Sequence, residues 1–240
     1  MPGSAEEPPA PPGALPTRPP RERMIRAAEY LIRTKGVAGT GVREVVERAE
    51  APWGSLRHYF PGGKDQLVAE AVQLGGRAAA RRIERYLAAL TEPKPSALFA
   101  AFVGEWRQLY LTRGFDLGCP LAATAADMAA TSEPLRVAVR DGFAEMQRPL
   151  EQALRTLGVP AARAPSLAWL MITNLEGALI LARSQREVTP LDIVVTELGP
   201  ILDATARPQT TAAARTDGRT GLRQPRRGGP EDRRRRPQQA

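Results

Sequence analysis

A single cysteine, Cys119, and a single histidine, His58, stand in 240 residues. One cysteine excludes an internal disulfide framework, and one histidine without a CxxC pair excludes the common zinc sites. No metal and no cofactor is expected. No run of about 18 uninterrupted apolar residues occurs, so no membrane partner is expected. The N-terminus lacks the apolar stretch of about 7–15 residues that marks a secretory signal. The expectation is a soluble, cytoplasmic protein. Aromatic residues make up only 5% of the chain, and the sequence shows no nucleophile–base pair, metal cluster or phosphate-cradling loop. An enzyme is therefore not expected.

What is present is unevenly distributed. The first twenty residues hold eight of the 23 prolines, and residues 205–240 hold ten of the 34 basic residues against three acids. Net charge is −1 over residues 1–20, +2 over 21–75, 0 over 76–204 and +7 over 205–240. The high isoelectric point thus belongs to one end. Residues 1–20 read as a disordered Pro-rich arm and 206–240 as a disordered Arg-rich tail, because neither can bury enough apolar surface to offset the entropy of ordering. Such an Arg run is at best a non-specific polyanion binder.

Between these ends the pattern is helical. Met24, Ala27, Ala28 and Leu31 recur at i, i+3, i+4 and i+7, as do Val42, Val45, Val46 and Ala49. Breaks fall at 91–95, 114–118 and 158–160. Pro120 suits a first helical position, and Ser96 and Ser132 suit N-caps. Only Ile193–Thr196 has strand-like chemistry, and its flanks are helical. The spacing predicts an all-α chain of about nine helices.

The segment from Thr40 to Lys64, TGVREVVERAEAPWGSLRHYFPGGK, has a particular architecture. A short amphipathic helix ends near Glu50, a tight Ala51-Pro52 turn follows, and a second short segment runs over Trp53–Phe60. Two short helices joined this way form a helix-turn-helix, whose second helix enters the major groove of double-stranded DNA. Leu56, Tyr59 and Phe60 are expected to pack inward, leaving Trp53, Ser55, Arg57 and His58 outward for phosphates and base edges. Gly62-Gly63-Lys64 opens the next helix, where free amides beside an ammonium suit a phosphate.

These residues, with the preceding RMIRAAEYLI and the following DQL, resemble the DNA-binding domain of TetR-type bacterial transcriptional repressors. The PGGK spelling, GCPLAATAAD and LEGALILAR further resemble the LmrA/YxaF-like branch. The resemblance implies a three-helix DNA-binding head over residues 21–66 and a six-helix ligand-binding and dimerisation body over 67–205. Its last two helices would form a four-helix bundle with a second subunit. Position by position, it implies that Thr40 and Arg43 contact the DNA backbone, and that Ser55, Arg57 and His58 lie on the recognition helix. Tyr59 and Phe60 would close that helix, and Lys64 would contact a phosphate. Two positions depart from the family pattern. Glu50 occupies a turn position usually held by Gly, at a cost if φ is positive there. Arg57 replaces an aromatic residue and adds a guanine reader.

In the body, the apolar residues are first of all core. A cavity between helices would take an unidentified, apolar effector, for which Phe102, Trp106, Cys119, Phe143, Met146, Trp169 and Asn174 are candidates. Cys119, at a helix start, suits either a redox role or a buried inert thiol, and the latter is favoured. Asn174 and Glu176 fall on different faces of one helix, so one would look into the pocket and the other toward the dimer seam. With Asn174 assigned to the pocket, the seam set is Glu176, Leu179, Arg183, Ile193 and Leu198. The functional expectation is a homodimeric repressor that binds a palindromic operator and is released by ligand. The alternatives are a nucleic-acid-associating protein acting through the Arg-rich tail and a helical small-molecule binder without operator specificity.

Overall fold

The computed structural model describes residues 18–128 and 130–206. The expected Pro-rich arm and Arg-rich tail lie, apart from their innermost residues, outside the described residues. Among the described residues every regular element is helical: α1 Pro20–Lys35, α2 Val42–Arg48, α3 Ser55–Tyr59, α4 Gly63–Ala89, α5 Pro95–Arg113, α6 Pro120–Met128, α7 Glu133–Thr156, α8 Ala164–Gln185 and α9 Thr189–Thr205. The strand-like run Ile193–Thr196 is helical, because its flanks and the core beneath it override local β preference.

Proline opens many of these helices. α1, α5, α7, α8 and α9 carry it at the first or second position, where the missing N–H has no intrahelical partner anyway. The Ser132 side chain accepts from the Leu135 N–H at the start of α7. The same hydroxyl donates to Asp65 at the start of α4 (3.0 Å), which ties the two helix starts together.

Two apolar clusters divide the structure. Met24, Ile32, Val45, Phe60, Leu67 and Val72 fill the first, which also takes Leu121, Leu135 and Val139 from α6 and α7. Ile83, Phe99, Tyr110, Leu150, Leu154, Met171 and Leu191 belong to the second. α4 contributes to both, so its first half belongs to the head and its second half to the body. At its midpoint Gly76 meets Gly142 of α7 so closely that a Cβ on Gly76 would lie 2.8 Å from the Gly142 carbonyl oxygen. A side chain there would push α4 and α7 apart.

The head is also fastened to α6. Gly36 ends α1 with φ +74°, a conformation that favours glycine, and Asp127 closes over it. The Asp127 carboxylate accepts from the Val37 N–H (2.7 Å) and the Ala38 N–H (3.2 Å). At the other end of α6, the Arg33 Nε donates to the Gly118 carbonyl (3.1 Å) while the Gly118 N–H donates to the Arg33 carbonyl (2.8 Å).

α8 is long and apolar enough, by length and composition, to cross a membrane, with mean hydropathy 1.3. Its apolar run is nevertheless interrupted by Asn174, Glu176 and Arg183. Its apolar residues have two destinations. Leu167, Met171, Leu175 and Leu179 are buried in the body core, whereas Trp169, Leu170, Ile180 and Leu181 stand exposed on the opposite side.

Candidate nucleic-acid interface and effector pocket

α2 and α3 are joined by a turn in which Glu50 takes φ +49°. The Arg23 guanidinium reaches across from α1, donating Nε to the Ala49 carbonyl (2.7 Å) and Nη2 to the Glu50 carbonyl (2.8 Å). Phe60 is fully buried and anchors the end of α3, while Leu56 and Tyr59 are half-buried. Arg57 and His58 are thereby left exposed, with the His58 ring edge-on to Tyr59 at 4.8 Å. Trp53, 59% exposed, lies under the Arg43 guanidinium at 5.3 Å. Arg43 also pairs with Glu47 (3.0 Å). One exposed surface thus collects Arg43 from the start of α2 and Trp53 from the turn before α3, with Arg57 and His58 along α3.

The other expected DNA contacts sit differently. Thr40 is only 2% exposed. Its amide donates to the Val37 carbonyl and its hydroxyl to the Gly36 carbonyl, so it braces the entry to α2 from inside. Lys64 directs its ammonium to the Val37 carbonyl (2.8 Å) rather than outward from the start of α4. The Gly62 amide there is engaged by the Gln66 side chain (2.9 Å). The Ser55 hydroxyl donates to the Pro52 carbonyl within the turn. The Thr40 and Ser55 hydroxyls thus bond carbonyls three or four residues back, whereas the Lys64 acceptor lies 27 residues away.

A second site lies inside the body. A cavity of about 40 Å³ is walled by Phe102, Trp106, Cys119, Met146, Leu175 and Glu176, with Arg33, Arg82 and Glu105 among the polar residues around it. Four of the seven residues expected to meet a ligand are therefore present. The other three are not. Phe143 packs between the two apolar clusters. Trp169 is 43% exposed on the outer side of α8. Asn174 donates its amide to the Leu170 carbonyl of its own helix (2.8 Å).

Glu176 is the reverse case, since it was expected at the seam and lies in the cavity wall. Burial pushes its carboxyl up to about 7, partly offset by a hydrogen bond from the Cys119 thiol. Oε2 of Glu176 has no hydrogen-bond partner, and neither has the buried Tyr110 hydroxyl. Burial, and then the charge of Glu176, holds the Cys119 thiol well above its ordinary range. The Cys119 thiol therefore stays protonated at neutral pH despite its place before a helix.

Two further seam candidates are corrected by burial within one chain, and a third is engaged by backbone carbonyls. Leu179 is 2% exposed and Leu198 5%, both in the body core, so no partner can reach them. Arg183 donates to the Phe115 and Asp116 carbonyls, joining α8 to the α5–α6 loop. Ile193 alone of that set stands outward. Its companions on the exposed side of α8 and α9 are Trp169, Leu170, Ile180, Leu181 and Ile201. Their signal was a second apolar stripe on α8, about half a turn from the first.

Residues 24–71 match the tetR family of bacterial regulatory proteins, and residues 95–197 match the C-terminal domain of LmrA/YxaF-like transcriptional regulators. An uncharacterized HTH-type transcriptional regulator of Mycobacterium tuberculosis is 36% identical over 191 residues, covering 76% of this chain and 94% of that protein. The HTH-type transcriptional regulator LmrA of Bacillus subtilis is 33% identical over 172 residues, covering 71% and 90%. The fold is similar to that of a TetR transcriptional regulator from Legionella pneumophila (TM-score 0.66, 20% identity, 79% of this chain and 98% of that one). It is also similar to reduced NemR of Escherichia coli (TM-score 0.62, 22% identity, 78% and 98%). With a helix-turn-helix in the head and an LmrA/YxaF-like body behind it, the chain belongs to the TetR family of bacterial transcriptional regulators, which are not enzymes.

Proposed function

We propose that the protein is a cytoplasmic, homodimeric repressor that binds a palindromic operator and leaves it when an effector enters the body cavity. The observation that carries this reading is the exposed face of α3. Arg57 and His58 project from a helix whose far side is pinned by Phe60 and whose preceding turn is clamped by Arg23. A guanidinium held on a rigid element suits bidentate reading of a guanine edge, while Arg43 and Trp53 suit phosphate and sugar.

Dimerisation is supported by the outer side of α8 and α9. Trp169, Leu170, Ile180, Leu181, Ile193 and Ile201 are large apolar side chains that stand exposed among the described residues. Gly177 lies among them with open space where a Cβ would be, allowing a partner helix close approach. Two such faces meeting about a two-fold axis would cover one another and place two α3 helices for successive major grooves.

Effector release is supported by the position of α6. Cys119, immediately before α6, lies in the cavity wall, and Asp127, near its end, holds the head at Val37 and Ala38. A shift of α6 on ligand entry would therefore reach α1 directly. The test is titration of a selected operator duplex with the purified protein, followed by addition of effector. A protein that binds all duplexes equally, or only as a monomer, would refute the reading.

A further inference from the structure

We infer that the effector is a small organic cation, a protonated amine on an aromatic body, with Glu176 as its counter-ion. The inference rests on the effector-pocket reading above. Glu176 is half-buried as a residue, its Oε2 is buried without a hydrogen-bond partner, and it lines a cavity between α1, α4, α5, α6, α7 and α8.

The charges around that cavity are otherwise answered. On α1, Arg33 pairs with Glu29 (3.5 Å), donates to the Gly118 carbonyl and lies over the Trp106 ring at 5.2 Å. Arg82 of α4 pairs with Glu105 of α5 (3.0 Å), and Glu105 also accepts from the Tyr86 hydroxyl. Arg183, on α8 itself, is engaged by the Phe115 and Asp116 carbonyls. Two weak acids face Glu176, and neither adds charge. Burial holds the Tyr110 phenol at about 12 and the Cys119 thiol well above its ordinary range, so both stay protonated at neutral pH.

With Glu176 ionised, the wall is short of one positive charge. A buried carboxylate without a partner is strongly destabilising, and a cation relieves that where a neutral hydrogen-bond donor relieves only the lone pair. An anion would be repelled. Phe102, and the side of Trp106 not covered by Arg33, offer aromatic surface beside which an ammonium and an aromatic body are both favourable. The volume, about 40 Å³, is small for such a ligand. Met146 in the wall has the unbranched, adaptable side chain that lets it open.

Benzylamine, benzyl alcohol and benzoate share one ring and differ only in the head group. Calorimetric titration of each into the full-length protein at pH 7 isolates the charge term. Benzylamine is expected to bind at least about tenfold more tightly than benzyl alcohol, with benzoate the weakest. Because cation binding deprotonates Glu176, benzylamine should release about half a proton, read from titrations in two buffers of different ionisation enthalpy. Glu176→Gln should equalise amine and alcohol and abolish the proton release. Glu176→Asp, which keeps the charge, should retain the preference, and both variants are checked for wild-type helicity. The inference is overturned by alcohol binding as tightly as amine, by an undiminished preference in Glu176→Gln, or by no benzylamine binding at millimolar concentration. Operator release is measured separately. Benzylamine that binds without releasing DNA would sink the release mechanism and leave this assignment standing, whereas release by benzyl alcohol alone would do the opposite.

Discussion

Arg23 holds the left-handed turn at Glu50, its Nη2 donating to the Glu50 carbonyl at 2.8 Å where φ is +49°. Two effects oppose each other there. A non-glycine residue in that conformation costs about 1–2 kcal/mol, and a charge-assisted hydrogen bond returns a comparable amount. Glu50→Gly is expected to raise stability by up to about 1 kcal/mol in thermal unfolding, with operator affinity retained. Arg23→Ala removes both donors from the turn and should loosen the placement of α3. Operator affinity should then fall about tenfold or more while far-ultraviolet circular dichroism stays at the wild-type level. Unchanged affinity in Arg23→Ala would mean that α3 is positioned by Phe60 alone.

The outer face of α8 separates two substitutions that are two residues apart. Leu181, 51% exposed, is expected at the seam, and Leu179, 2% exposed, is in the core. Leu181→Glu should give folded monomers in analytical ultracentrifugation, with poor binding to a full operator. Leu179→Glu should instead destabilise the fold by several kcal/mol, through a buried unpaired charge. Folded dimers of Leu181→Glu would move the interface elsewhere.

The helices were legible because apolar residues that share a core recur at helical spacing, and α1 and α2 display that spacing without ambiguity. α8 defeats the same logic. It is apolar on two sides, so Trp169 and Leu179 look equally suited to pocket, core or seam until the neighbouring helices are in place. The helical wheel did separate Asn174 from Glu176, yet which of them met the cavity depended on the direction of α5 and α6. Glu50 was recognisable as the turn position through the family resemblance, whose pattern usually places Gly there. Its partner Arg23 was not, because that contact joins residues 27 apart in sequence. The Lys64 bond to the Val37 carbonyl likewise joins residues 27 apart.

Arg57 and Lys64 should fail in different ways. Arg57→Ala is expected to relax preference at one base position in each half-site, at about 1–3 kcal/mol there. Lys64→Ala removes a link between the start of α4 and the end of α1. It should weaken binding uniformly across sequences and lower stability by about 1 kcal/mol. Sequence preference that survives Arg57→Ala would make Arg57 a backbone contact.

Glu176 predicts a stability signature that needs no ligand. Its folded carboxyl titrates at about 7 against an ordinary 4.5, so the folded protein holds the proton more tightly than the unfolded chain. The resulting destabilisation is absent below about pH 4.5, grows as pH rises, and is complete above about pH 7, where it reaches about 3 kcal/mol. Glu176→Gln should therefore match the wild type near pH 4 and exceed it increasingly up to pH 8 in denaturant unfolding. A stability difference independent of pH would show that Glu176 is ionised in a compensated environment.

The central claim is that two copies of α3 read DNA together. Sequence enrichment of bound duplexes from a random pool, using the full-length protein, tests it most directly. The account predicts an inverted repeat whose half-site centres lie one helical turn or a multiple of it apart, about 34–36 Å per turn. Enrichment of a single unpaired half-site, or of no sequence at all, would contradict it.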